Sequence, residues 1–275
     1  MVKTDPRSEL HSEMQISPHD DTGPIGFSVR RSLIPKRGTE PGQCEDQLAI
    51  AGDGQSPLLL AAVADGATEA IFSRKWADHL TRLFIRTKRS RQVWDTAWVE
   101  TEGRKFRGGF DITTLPWFAQ EKAGRGSFAS LLGLRLDFRS RTYSAQSVGD
   151  CCLAVVADDS LDIFPAEFAD PDAFGSNPYL ISSNPSMNNE LDQQARVLPA
   201  RRLRSDTAVE FFLMTDALAA WFSREASLDR QPWRSVAEHS DLDTFAEFVE
   251  RCRESGEMRN DDVALIHIRV DRSTV

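Results

Sequence analysis

Three mainly apolar runs, each bounded at one end by aspartate, constrain this chain more than any other feature. Residues 58–64 run straight into Asp65-Gly66, Phe211-Phe212-Leu213-Met214-Thr215 runs into Asp216, and residues 263–270 follow Asp261-Asp262. Runs this short cannot cross a bilayer, which needs about 20 apolar residues. Their length and their bounding turn residues read as buried strands. Acidic residues at the ends of such strands are a way for a fold to gather carboxylates into one pocket.

The remaining pattern supplies the partners of those strands. Further strands are expected over residues 25–30, 47–51, 127–136, 142–147, 153–157 and 161–164, with Gly52-Asp53-Gly54 as a hairpin turn. Ile71, Trp76, Leu80, Leu83 and Phe84 recur at helical spacing after Thr68. Helices are also expected over residues 91–104 and 116–122, after Asp216 through Phe222, and over 243–253. Residues 165–205, rich in Pro, Asn, Ser and Asp, predict a long surface loop. Residues 1–23 are polar without periodicity and predict a disordered lead-in. Strands, a helical block, more strands, then helices and a last strand do not alternate as in a parallel α/β fold. They predict an α+β fold: two packed antiparallel β-sheets flanked by helices, an α-β-β-α sandwich, in a single domain over residues 24–275.

Charge narrows the function. Lys and Arg total 33 against 42 Asp and Glu in 275 residues, a net charge of −9. That field repels a phosphate backbone, so no nucleic acid partner is expected. No signal-peptide core or membrane segment is read, and a cytoplasmic protein is expected. The cysteines Cys44, Cys151, Cys152 and Cys252 lack zinc-knuckle spacing and read as reduced, buried thiols.

Besides Asp65, Asp216 and Asp261, acidic residues stand at Glu45-Asp46, before the strand at 47–51, and at Asp150, in a turn after Val148-Gly149. Each alone has a structural explanation as a turn or helix cap. Together they would repel one another unless divalent cations neutralised them, and an all-oxygen set without paired histidines suits Mg2+ or Mn2+.

Five segments in order carry a resemblance. Cys44-Glu45-Asp46, Val63-Ala64-Asp65-Gly66-Ala67, Ser147-Val148-Gly149-Asp150, Leu213-Met214-Thr215-Asp216-Ala217 and Arg259-Asn260-Asp261-Asp262-Val263 resemble the successive motifs of the metal-dependent serine/threonine protein phosphatases of type 2C, the PPM family, in their bacterial branch. The departures are local. Ala67-Thr68-Glu69 replaces the glycine-rich end of the second motif, Ala217 replaces a glycine, Asp262 replaces the final asparagine, and Pro41 stands where many relatives place a phosphate-binding arginine.

The resemblance implies hydrolysis of phosphoserine and phosphothreonine by a water activated between two metal ions, without a covalent intermediate. It implies two or three Mg2+ or Mn2+ ions on Glu45, Asp46, Asp65, the carbonyl of Gly66, Asp150, Asp216 and Asp261, with Asp65 bridging and Asp65 and Asp216 central to catalysis. Arg37, in the turn 35–38, is the nearest candidate for the missing phosphate grip. The implied partner is a phosphorylated protein, such as a serine/threonine kinase or its target. The alternative is a catalytically weak relative that uses the same fold as a phosphoprotein-binding or regulatory module.

Overall fold

The computed structural model describes residues 25–52, 56–68, 70–86, 96–175, 177–204, 206–239 and 241–271, and the main chain of 11–16. The strands are β1 (His11–Ile16), β2 (Ile25–Ile34), β3 (Gln47–Ala51), β4 (Leu58–Ala64), β5 (Phe128–Ala129), β6 (Leu131–Asp137), β7 (Thr142–Val148), β8 (Cys152–Ala157), β9 (Ser160–Phe164), β10 (Ile181–Ser182), β11 (Arg196–Arg202), β12 (Val209–Met214) and β13 (Val263–Val270). The α-helices are α1 (Ser73–Arg86), α2 (Thr96–Gly108), α3 (Trp117–Arg125), α4 (Leu191–Gln194), α5 (Asp216–Ser227), α6 (Pro232–Glu238) and α7 (Leu242–Glu254).

The strands form a six-stranded sheet, β1-β2-β13-β12-β8-β9, a five-stranded sheet, β11-β7-β6-β4-β3, and the short pair β10-β5. Every ladder is antiparallel. Strand alternation explains the layering. Leu59, Ala61 and Val63 of β4, Phe211 and Leu213 of β12, and Ala264, Ile266 and Ile268 of β13 fill the space between the sheets. Their neighbours face outwards. Leu60, Ala62 and Ala64 meet Trp76, Leu80 and Phe84 of α1 and Val99 of α2, whereas Phe212, Met214 and Leu265 meet α5, α6 and α7. A central strand covered on both faces has little polar alternation, which is why β4 is continuously apolar and β12 and β13 are mostly so. The architecture is the expected α-β-β-α sandwich.

Two expectations are corrected. Residues 165–205 are not one loop: they hold β10, α4 and β11, and β11 adds an edge to the five-stranded sheet through pairs such as Val197 with Gln146. Its sequence, Arg-Val-Leu-Pro-Ala-Arg-Arg, hides it, because an edge strand is held by main-chain pairing and buries little beyond Leu198. Residues 11–16, inside the expected lead-in, pair antiparallel with β2 from His11 opposite Arg30 to Ile16 opposite Ile25. Pairing of this kind is again main-chain work and leaves no apolar signature. The expected turn at Asp53-Gly54, the start of the helix at 91–95, Glu69 and the rest of residues 1–23 lie outside the described residues. Helix α6 was not expected from the sequence. All four cysteines are free and buried. Among the described residues, no helix is long and apolar enough to cross a membrane.

Candidate active site

Antiparallel register brings the acidic ends of distant strands to one end of the sandwich. Gln47 pairs with Ala64, so Asp46 and Asp65 flank the same end of the β3–β4 ladder. Met214 lies between Cys152 and Leu265, so Asp150, Asp216 and Asp261 arrive together at the end of the other sheet. Asp46, Asp150 and Asp216 are buried, and Asp65 is partly exposed.

Two glycines make the approach possible. A Cβ on Gly66 would lie 2.8 Å from the carbonyl carbon of Ser73 and 3.0 Å from the carbonyl oxygen of Glu45. Gly149 has φ +87°, and a Cβ there would come within 2.6 Å of Ser130 Cβ. Ser130 ties the two turns together. Its amide donates to the Asp65 carbonyl (2.9 Å), its hydroxyl accepts from the Asp65 amide (3.2 Å), and that hydroxyl lies 2.9 Å from Cys151 Sγ.

The cluster is electrostatically strained. Burial, then Asp65, pushes Asp46 well above the usual carboxylate range, although the Thr215 hydroxyl donates to Asp46 Oδ2 at 2.7 Å. Burial, then the charges of Asp216, Asp150 and Asp261, raises Asp65 in the same way, and Asp46 lies within hydrogen-bonding reach of it. Burial and Asp216 raise Asp150 to about 7. Asp216 is raised chiefly by burial and is opposed by Arg259, whose Nη2 stands 2.6 Å from Asp216 Oδ2.

Not every expected residue joins the cluster. Glu45 is half-buried and pairs with Lys36 Nζ at 3.4 Å. Arg37 does not reach the carboxylates: its guanidinium pairs with Glu250 and, at 3.0 Å, with Glu254 on α7. The reason is local. The Arg37 amide donates to Asn260 Oδ1 (2.8 Å), which fixes the turn beside Glu250 and Glu254 of α7. The phosphate-gripping role expected of Arg37 is therefore not supported by its position.

Other residues emerge only in three dimensions. Asp262 is buried and accepts hydrogen bonds from the amides of Lys36 (2.7 Å) and Glu45 (2.6 Å), so it clamps the first motif to the last. Lys36 Nζ also donates to Thr68 Oγ1 (3.3 Å), a contact that a glycine there would not offer. Thr215 Oγ1 accepts from the Ala264 amide (2.8 Å) while donating to Asp46. Arg253, its side chain 1% exposed, donates to the carbonyls of Pro35 (3.1 Å) and Asp261. Arg259 stands in the closing motif itself, the one signal that sequence reading had for it.

The donor set fits a hard divalent cation in chemistry: carboxylates and a backbone carbonyl, with Asp150 Oδ1 buried and without a hydrogen-bond partner among the described residues. The arrangement is not closed around an ion. Among the described residues, no three His, Cys, Asp or Glu side chains are placed to hold one.

No protein-family model and no curated protein matches the sequence. Solved structures do match. A bacterial serine phosphatase superposes with a TM-score of 0.55 at 12% identity, covering 90% of this chain and 99% of that one. The serine/threonine phosphatase Stp1 from Staphylococcus aureus gives 0.54 at 11% identity, covering 96% and 99%. RsbX in complex with magnesium gives 0.50 at 16% identity, covering 94% and 100%. With its two packed sheets, their helical layers and the acidic end, the chain has the fold of the bacterial type 2C serine/threonine phosphatases.

Proposed function

We propose that this protein is a metal-dependent phosphoprotein phosphatase that hydrolyses phosphoserine and phosphothreonine, built as one domain over residues 24–275. The observation that carries this reading is the burial of Asp46, Asp150 and Asp216 beside the partly buried Asp65, drawn from both sheets, at a rim where their charges oppose one another. A fold that needed only turns and caps there has no reason to desolvate that many carboxylates. Asp65, the Gly66 carbonyl, Asp216 and Asp261 would hold Mg2+ or Mn2+, with Asp150, Asp46 and Glu45 completing two or three sites. Bound ions supply Lewis acidity for the phosphoryl oxygens and acidify a water. The chain's own part is to fix the carboxylates: Thr215 orients Asp46, Ser130 holds the main chain of Asp65, and Asp262 and Arg253 pin the loops that carry Glu45 and Asp261. The partner would be a phosphorylated protein, a kinase or its target.

The unclosed arrangement of donors favours a second reading, a phosphoprotein-binding module without turnover. One experiment separates the two. Hydrolysis of p-nitrophenyl phosphate and of a phosphothreonine peptide is measured with manganese and with chelator. Turnover that requires manganese supports the phosphatase. Absence of turnover at every metal concentration, with the phosphopeptide still bound, replaces it with the module.

A further inference from the structure

Of all contacts in the acidic cluster, the one between Arg259 and Asp216 is the hardest to reconcile with a carboxylate kept for a metal ion. Nη2 of Arg259 lies 2.6 Å from Asp216 Oδ2, the distance of a strong charge-assisted bond. The exposures of the partners are unequal: the Asp216 side chain is 11% exposed and that of Arg259 is 48% exposed. The carboxylate is therefore fixed by the core, because it opens α5 directly after β12. The guanidinium reaches it from the solvent side on a flexible stem. Among the described residues, no other hydrogen bond or ion pair holds the Arg259 side chain, whereas Arg253, six residues earlier, is locked to Pro35, Glu250 and Asp261. One arginine of this segment builds the fold, and the other only occupies the cluster.

We propose that Arg259 is a resident counter-cation that competes with the divalent ion for Asp216. This inference rests on the phosphatase reading of the site. A guanidinium on Oδ2 occupies the lone pairs that a hard cation would use, and two cations on one carboxylate oxygen repel each other. Ion uptake at Asp216 thus requires Arg259 to swing into solvent, which its exposure permits. While the ion is away, Arg259 offsets part of the repulsion among Asp216, Asp150 and Asp261 and stabilises the folded chain. Arg259 is thereby a determinant of metal affinity and a positioning residue for Asp216, not a group that reacts.

The test uses the full chain and manganese alone. Metal binding is followed by calorimetry, and thermal stability is measured in chelator and in excess manganese, for the wild type, Arg259→Ala and Arg259→Lys. Arg259→Ala should bind manganese roughly 5- to 30-fold more tightly, because the competing bond is gone. Its Tm should fall in chelator yet equal or exceed the wild-type value in manganese. Arg259→Lys, which keeps the charge but loses the planar fork, should lie between. A residue with only a structural role would lower Tm in both conditions and leave the affinity unchanged. Unchanged or weaker manganese binding in Arg259→Ala, with the wild type binding normally, overturns the inference and leaves the phosphatase reading intact. If neither protein takes up manganese, the metal site itself is wrong and the inference falls with it.

Discussion

Two of the charge clusters among the described residues are built on opposite terms. On the outer face of the six-stranded sheet, Arg30, Glu210, His267 and Arg269 meet across β2, β13 and β12. His267 lies 2.7 Å from Glu210 and stacks on Phe212 at 4.3 Å, and Arg269 pairs with Glu210 at 3.3 Å. Arg30 donates to the carbonyls of Val236 (2.7 Å), Ala237 (3.4 Å) and His239, which cap the end of α6. Each charge there faces its opposite, and Glu210 is pulled below its usual range despite its burial by His267 and the arginines. At the rim, in contrast, carboxylates face carboxylates, and Arg259 and Thr215 offset only part of the repulsion. Charge that is balanced within the chain serves the fold. On the phosphatase reading proposed above, the charge left unbalanced is kept for a divalent cation.

Breaking the balanced cluster should therefore cost stability and little else. Arg30→Met removes the cap of α6 and leaves Glu210 short of a charge, for a loss of about 3 kcal/mol, the lower end of what a broken buried ion network costs. Urea denaturation measures it, and kcat of the folded protein should stay within about twofold, since the cluster lies away from the rim. A large fall in kcat at unchanged stability would erase the contrast.

Breaking the unbalanced cluster should do the reverse. Asp65→Asn should lower manganese-dependent turnover by at least ~100-fold. The same change should raise Tm in chelator, because it removes one of several mutually repelling buried charges. A variant that keeps wild-type turnover and loses stability would place Asp65 with the structural residues.

The two clusters should also respond to pH with opposite sign. At the rim, folding raises Asp46, Asp65, Asp150 and Asp216 above their unfolded values, Asp150 to about 7. The folded protein then binds more protons than the unfolded chain, so in chelator its stability declines as pH rises from about 4 to about 7. His267 is shifted down by burial, which outweighs the pull of Glu210. It is held neutral, and its contribution is lost as pH falls below about 6.5. Asp150→Asn should flatten the first slope, His267→Gln the second, and denaturant titrations in chelator between pH 5 and 8 read both.

The smallest effect belongs to Arg37. It lies on neither cluster, paired on the surface with Glu250 and Glu254. Exposed pairs contribute little, so Arg37→Ala should leave kcat/KM within about twofold and Tm within about 1 °C. A tenfold loss in kcat/KM would restore it to the phosphate site.

The sequence by itself determined the strands that are buried on both faces. The run at β4 is apolar throughout, and those at β12 and β13 are mostly so, because a sheet lies on one side and helices on the other, and their ends carry the aspartates. The order of those strands, read with the five motifs, was enough for the sandwich and for the membership of Asp46, Asp65, Asp150, Asp216 and Asp261 in one cluster. Strands held by main-chain pairing, β1 and β11, left no trace in side-chain pattern. The partners of the cluster were also beyond local reading. Asp262 clamping Lys36 and Glu45, Thr215 orienting Asp46, and Arg37 turning to α7 while Arg259 turns to Asp216 are contacts across tens to hundreds of residues. Only the tertiary structure decided which way a long cationic side chain points. An arginine reaches several ångströms from its backbone, and its choice among nearby carboxylates is set by geometry that no sequence spacing encodes.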